Sequence, residues 1–180
     1  MHHPARDPER RRFLSRLLRE VARTELQALD HAARETRRLG ETPPPASALR
    51  AVAAHAAELQ PRLATILAGY RLTAARGGLG AALATLRHLV VDGVVDAERA
   101  YRIAVLDLRH GVDVVKLLRE VARGEQLFGV IRWCDDWLSA RRTLVAHAER
   151  ALAWFTTPAA AAILDEPSSP SDRPWSRDRP

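Results

Sequence analysis

The sequence predicts an all-α protein, a four-helix bundle of long amphipathic helices followed by a disordered C-terminal tail. Three observations carry that expectation. Hydrophobic residues make up 47% of the 180 residues but aromatics only 5%, and much of the apolar fraction is alanine, the strongest helix former, rather than the branched and aromatic residues that favour strands. Apolar positions recur at spacings of three and four along long stretches. After Glu166 the chain turns to Pro, Ser, Asp and Arg, with little to bury. Residues 1–6 read as a flexible N-terminus, 7–164 as the bundle domain and 165–180 as the tail.

The first helix has a defined start, because Asp7-Pro8 offers an N-cap carboxylate and a proline at the first helical position. It runs to Leu39 on a seam of Leu14, Leu18, Val21, Leu29 and Ala32, and Gly40 supplies the stop. Pro43-Pro44-Pro45 reads as a stiff connector. A second helix is expected from about Ser47 to Arg76, with Leu49, Val52, Ala56, Leu59, Leu63, Ile66 and Tyr70 on one face. Pro61 predicts a kink near Ala57, and Gly77-Gly78 the end.

The third segment, Leu79 to Arg123, carries one seam on Leu83, Leu86 and Val90 and another on Ala97, Tyr101, Ala104 and Leu108. Gly93 and Gly111 are expected as joints, with Asp113 capping a short helix that ends at Gly124. His110, beside Gly111, reads as a C-terminal residue interacting with the helix dipole. The fourth helix is expected from Glu125 to Phe155 on Leu127, Val130, Cys134, Trp137, Val145, Ala148, Leu152 and Phe155. Thr157-Pro158 can start one more turn. Each helix has one apolar stripe to bury, and four such stripes close into a bundle.

Composition narrows the function classes. A single cysteine, Cys134, excludes an intrachain disulfide and a Cys-based zinc site, and reads as a buried thiol. No apolar run reaches about 18 residues, and the N-terminus lacks a signal-peptide core, so the expectation is a cytoplasmic chain without a transmembrane segment. The net charge of +6 and pI near 10.8 invite a nucleic-acid partner. Lys116 is the sole lysine, however, and the arginines are spread among 22 acids, which weighs against a dedicated binding tract. No phosphate loop, nucleophile elbow, dinucleotide fingerprint or zincin motif is present. Gly77-Gly78-Leu79-Gly80 reads as a helix-to-helix turn.

Polar residues on the apolar seams are the informative feature. Glu25 lies between Val21 and Leu29, Glu98 between Val94 and Tyr101, and His55 between Val52 and Leu59 with Glu58 one turn on. His147 and Glu149 flank the seam of the fourth helix, and Arg141 stands at its middle. A carboxylate or imidazole facing a core costs several kcal/mol, on the order of 2–7, unless paired or metal-bound. The helix layout, with Asp96-Ala97-Glu98-Arg99-Ala100-Tyr101 and Leu144-Val145-Ala146-His147-Ala148-Glu149, resembles the ferritin-like, rubrerythrin-related bundle proteins. That resemblance implies a di-iron centre built from a Glu on each of two helices and Glu-x-x-His on the other two. Glu25 and Glu98 stand for the single glutamates, while His55-Ala-Ala-Glu58 carries the paired motif in reverse and the fourth helix lacks it. His88, Asp92 and Asp96 form a further row at one-turn spacing. The competing expectation is that Glu25 or Glu98 pairs with Arg141 across the core and fixes helix register.

Arg132-Trp133-Cys134-Asp135-Asp136-Trp137 through Arg141-Arg142 is the densest patch. Trp133 and Trp137 share a face, either as core or, with Arg132, Arg141 and Arg142, as an interaction surface. Arg10-Arg11-Arg12 sits at a helix N-terminus, where cations are disfavoured, and hints at an acidic partner. The leading expectation is a non-catalytic bundle that works by protein–protein interaction, as a homo-oligomer and without a cofactor. Iron chemistry in stress or iron handling and Arg-driven nucleic-acid binding are the alternatives.

Overall fold

The computed structural model describes residues 8–72 and 97–160. They form four α-helices, α1 (Pro8–Leu39), α2 (Pro44–Gly69), α3 (Ala97–Gly124) and α4 (Phe128–Ala151), followed by a 3-10 turn at Leu152–Thr156. Gly77-Gly78-Leu79-Gly80, His88, Asp92, Gly93, Asp96 and the tail from 165 lie outside the described residues.

The helices close into a ring in which α1 packs on α2 and α3, and α4 packs on the same two. Cross-contacts fix the directions. Glu20 meets His110 and His31 meets Asp107, so α1 and α3 run antiparallel. His55 meets Arg141 and Arg62 meets Asp136, so α2 and α4 do too. Short turns join α1 to α2 and α3 to α4. The end of α2 and the start of α3 therefore stand at opposite ends of the bundle, a connectivity with one long crossover. Leu18, Val21, Leu49, Val52, Tyr101, Val115, Leu118, Trp133, Cys134 and Trp137 fill the interior.

Helix ends depart from expectation in instructive ways. α2 starts at Pro44, inside the supposed connector, because Pro43 takes the extended N-cap conformation and the first helical bond runs from Ser47 N–H to its carbonyl. Proline costs little there, since the first-turn N–H groups have no helical acceptor. The helix passes through Pro61 unbroken and stops at Gly69, short of the expected Arg76. Arg71 adopts φ 54° and Leu72 N–H returns to Leu67 O, a Schellman closure. The same closure ends α3, with Gln126 at φ 54° and Leu127 N–H bonded to Ala122 O.

Gly111 is not a joint. α3 runs through it, and a Cβ there would meet Thr24 of α1 at 3.5 Å. That is ordinary van der Waals contact, so the site has room for a methyl group. Asp113 accordingly caps nothing and pairs with Lys116 on the surface. His110 is a mid-helix residue bonded to Glu20 at 2.9 Å rather than a C-terminal one. α4 begins at Phe128 and gives way to the 3-10 turn after Ala151. Thr157 then caps the turn at 158–160 through its hydroxyl, which accepts from Ala160 N–H.

Candidate functional site

The polar centre of the bundle is built on Arg141. This residue occupies a core position of α4 and is 1% exposed, and Glu25 of α1, diagonally across the bundle, is 7% exposed. One terminal guanidinium nitrogen donates to both Glu25 oxygens, at 2.9 and 2.8 Å. The Nε–H donates to His55 Nδ1 of α2 at 3.2 Å. The guanidinium carbon lies 4.5 Å from the Trp137 ring centroid, a desolvated cation–π contact. Three helices are tied through one side chain.

The chemistry of these contacts is fixed by donor and acceptor roles. An arginine donating to His55 Nδ1 requires a lone pair there, so the imidazole is neutral with its proton on Nε2. Burial holds the His55 pKa below its usual value, and the Arg141 charge reinforces the shift. Burial raises the Glu25 carboxyl, while the Arg141 charge, the nearby Trp137 indole and the Arg141 hydrogen bonds work in the opposite sense. Burial likewise lowers Arg141, opposed by Glu25. The guanidinium nonetheless keeps its proton throughout the range in which proteins fold, and its donation to both Glu25 oxygens is the contact a carboxylate accepts. The Trp137 and Trp133 indole N–H groups are buried without a hydrogen bond of normal geometry.

A second polar layer lies further along α1 and is absent from the sequence reading. His31 is buried and pairs through Nε2 with Asp107 of α3 at 3.0 Å, while Arg34 approaches its Nδ1 at 2.7 Å. Glu35, one turn on, is buried and bonded by Arg38 at 2.8 Å. Tyr101 donates to Ala148 O at 2.9 Å, and burial raises its phenol, with the Glu35 charge adding to the effect. The signal was available: extending the Val21–Glu25–Ala28 spacing places Glu35 and Leu39 on the same stripe, with His31 beside it.

The structure places the remaining candidate ligands elsewhere. Glu58 and His147 are exposed, and Glu98 is half-buried at the start of α3 against Arg102. Glu149 pairs with Arg109 across the α3–α4 seam. Of the six expected ligands only Glu25 and His55 meet, and Arg141 stands between them. Both Glu25 oxygens are engaged by a cation, the reverse of what an iron ligand requires. Among the described residues no three His, Cys, Asp or Glu side chains gather as a metal site, so these residues do not fit a di-iron centre.

The dense patch on α4 divides in the same way. Trp133, Trp137 and Arg141 are buried and belong to the core rather than to an interaction surface, leaving Arg132 and Arg142 exposed. Cys134 is buried, and its thiol is pushed up to about 12 by that burial, which makes it inert. A cleft of about 60 Å³ opens over Glu25 between α1 and α2, lined by Ala22, Leu26, Leu29, Ala56, Gln60 and Leu63. It has room for a few waters and little else.

No family model, curated protein or solved structure matches the chain.

Proposed function

We propose that this protein is a non-catalytic helical bundle that acts by pairing with a second copy of itself through the outer face of α3. One observation supports this most directly. Ile103, Leu106 and Leu117 are 42%, 54% and 46% exposed, and their spacing puts them on one face with His110, opposite the buried stripe of Tyr101, Leu108, Val115 and Ala122. Single exposed apolar residues are ordinary, but a stripe along a helix turned away from its own core is what an interface leaves uncovered.

The charges on that face favour a copy of the same chain. Arg99 and Arg102 stand toward the N-terminal half, and Asp113 and Glu120 toward the C-terminal half. Laid antiparallel on itself about an axis near Gly111 and Val112, the face sets Leu106 against Leu117, His110 against Asp113 and Arg102 near Glu120. That is the self-complementary pattern of a two-fold interface. The single long crossover is shared with ferritin-like bundles and concerns connectivity alone.

Light scattering coupled to size exclusion, with wild type and a Leu106→Glu variant, tests the proposal. A wild-type dimer that becomes a folded monomer in the variant supports it. A wild-type monomer at every concentration, or a dimer indifferent to the substitution, refutes it.

A further inference from the structure

Three seams of the bundle are bridged by ion pairs at the surface. Glu20–His110 and His31–Asp107 span α1 and α3, Arg109–Glu149 and Arg119–Asp135 span α3 and α4, and Arg62–Asp136 spans α2 and α4. The seam between α1 and α2 is built differently. Its cleft over Glu25 is walled by Ala22, Leu26 and Leu29 on one side and by Gln60, Leu63 and Ala64 on the other. Leu26 is 41% exposed at the rim. Helical spacing extends the two walls to Ala33 and Ala57, both exposed, so the walls stay uncharged over about three turns. On a surface otherwise dense in charge, such a groove is a face that still needs covering.

The chain itself supplies an occupant. α2 ends and α3 begins at opposite ends of the bundle, and the two helices stand diagonally across the ring. The residues that join them must therefore travel the length of the bundle along its outside, past α1 or past α4. These are residues 73–96, outside the described residues. There are about 24 of them, and a helix of that length rises about 36 Å against about 39 Å for the 26 residues of α2, enough for one pass. Leu79, Leu83, Leu86 and Val90 recur at spacings of four, three and four, an apolar stripe that needs burial, and Arg87 is the sole formal charge between Gly77 and Val91. The route past α4 follows the seam held by Arg62 and Asp136, whereas the route past α1 follows the uncharged groove. That route then passes over the last turns of α1, so Asp92 and Asp96 arrive where α1 carries Arg34 and Arg37. We infer that residues 79–90 seat on the α1–α2 groove, running parallel to α1 with the leucine stripe against Leu26 and Ala64.

Cysteine cross-linking of the full chain, in a Cys134→Ala background, tests this. Leu26→Cys is paired in turn with Leu83→Cys and Leu86→Cys. Mild oxidation is expected to give an intramolecular disulfide in at least one pair. Ser139→Cys, an exposed position of α4 at a similar height, is expected to give none with either. No disulfide from Leu26→Cys, or one to Ser139→Cys instead, overturns the inference. So does a disulfide found only at dimer mass, which would make a second copy the occupant. Limited trypsin digestion gives an independent reading, because cleavage after Arg87 tracks the fraction of molecules in which the segment has left its seat. Leu26→Glu is expected to speed that cleavage about tenfold. Leu106→Glu, on the α3 face proposed for self-association, leaves it unchanged, so the two readings fail separately. Thermal melts establish that the variants fold. Equal cleavage rates in wild type and Leu26→Glu contradict the seat on α1 and α2.

Discussion

Glu25 and Arg141 each carry a charge into the interior of a bundle whose other core residues are mostly aliphatic or aromatic. Their attraction offsets desolvation only while both are present. Glu25→Ala is therefore expected to cost about 3–5 kcal/mol by stranding the guanidinium, a large share of the roughly 5–15 kcal/mol that holds a typical domain. Urea denaturation measures it, and a loss below about 1 kcal/mol would mean that water already reaches the pair. His55 adds a pH dependence. Its pKa is lowered in the fold, so as pH falls below about 6.5 the unfolded chain takes up the proton first and stability is lost. Glu25 acts in the other sense, since its raised carboxyl takes up a proton first in the folded state as pH falls. Comparing wild type with His55→Gln at pH 7.5 and about 5.5 isolates the histidine: the variant should show the smaller loss, and an equal loss would remove His55 from the account. Polar residues on apolar seams were legible as positions needing partners. Which partner each took was not, because Glu25 and Glu98 both read as seam positions in the sequence, and only the helix ends set Glu25 level with Arg141 and leave Glu98 in the first turn of α3 against Arg102.

Helix bodies were readable because burial follows spacings of three and four, as in Ala97, Tyr101, Ala104 and Leu108 of α3. Helix ends were less so. Glycine predicts a stop, yet the left-handed positions that close α2 and α3 are held by Arg71 and Gln126, each two residues beyond a glycine. Conversely Gly111 sits inside an unbroken helix, where what matters is the distance to Thr24. A methyl group at Gly111 would make ordinary contacts with Thr24, so Gly111→Ala is expected to stabilise by about 0.5–1 kcal/mol through helix propensity alone. A thermal melt should rise by about 2 °C. A fall would show that α1 and α3 approach too closely to admit a methyl group, and the contact would then be the reason for the glycine.

At the scale of the molecule, the bundle places its titratable and aromatic groups in two different settings. Several of those inside have partners there: Arg141 with Glu25 and His55, His31 with Asp107, Tyr101 with the Ala148 carbonyl. Others are exposed, among them His110 on the outer face of α3 and Phe128 at the start of α4. The four-helix architecture followed from the stripes, but the ring order did not, since amphipathicity says that a face is buried and not against which neighbour. The central claim is that the polar interior holds the helices in register while association belongs to the surface. Replacing both members of the ion pair, Glu25→Leu with Arg141→Met, tests it most directly by combining denaturation with light scattering. A folded bundle at least as stable as Glu25→Ala and close to wild type is expected, with its self-association intact. A double variant that folds but no longer associates, or a wild type whose bound metal disappears in it, would contradict the account and return the function to the interior.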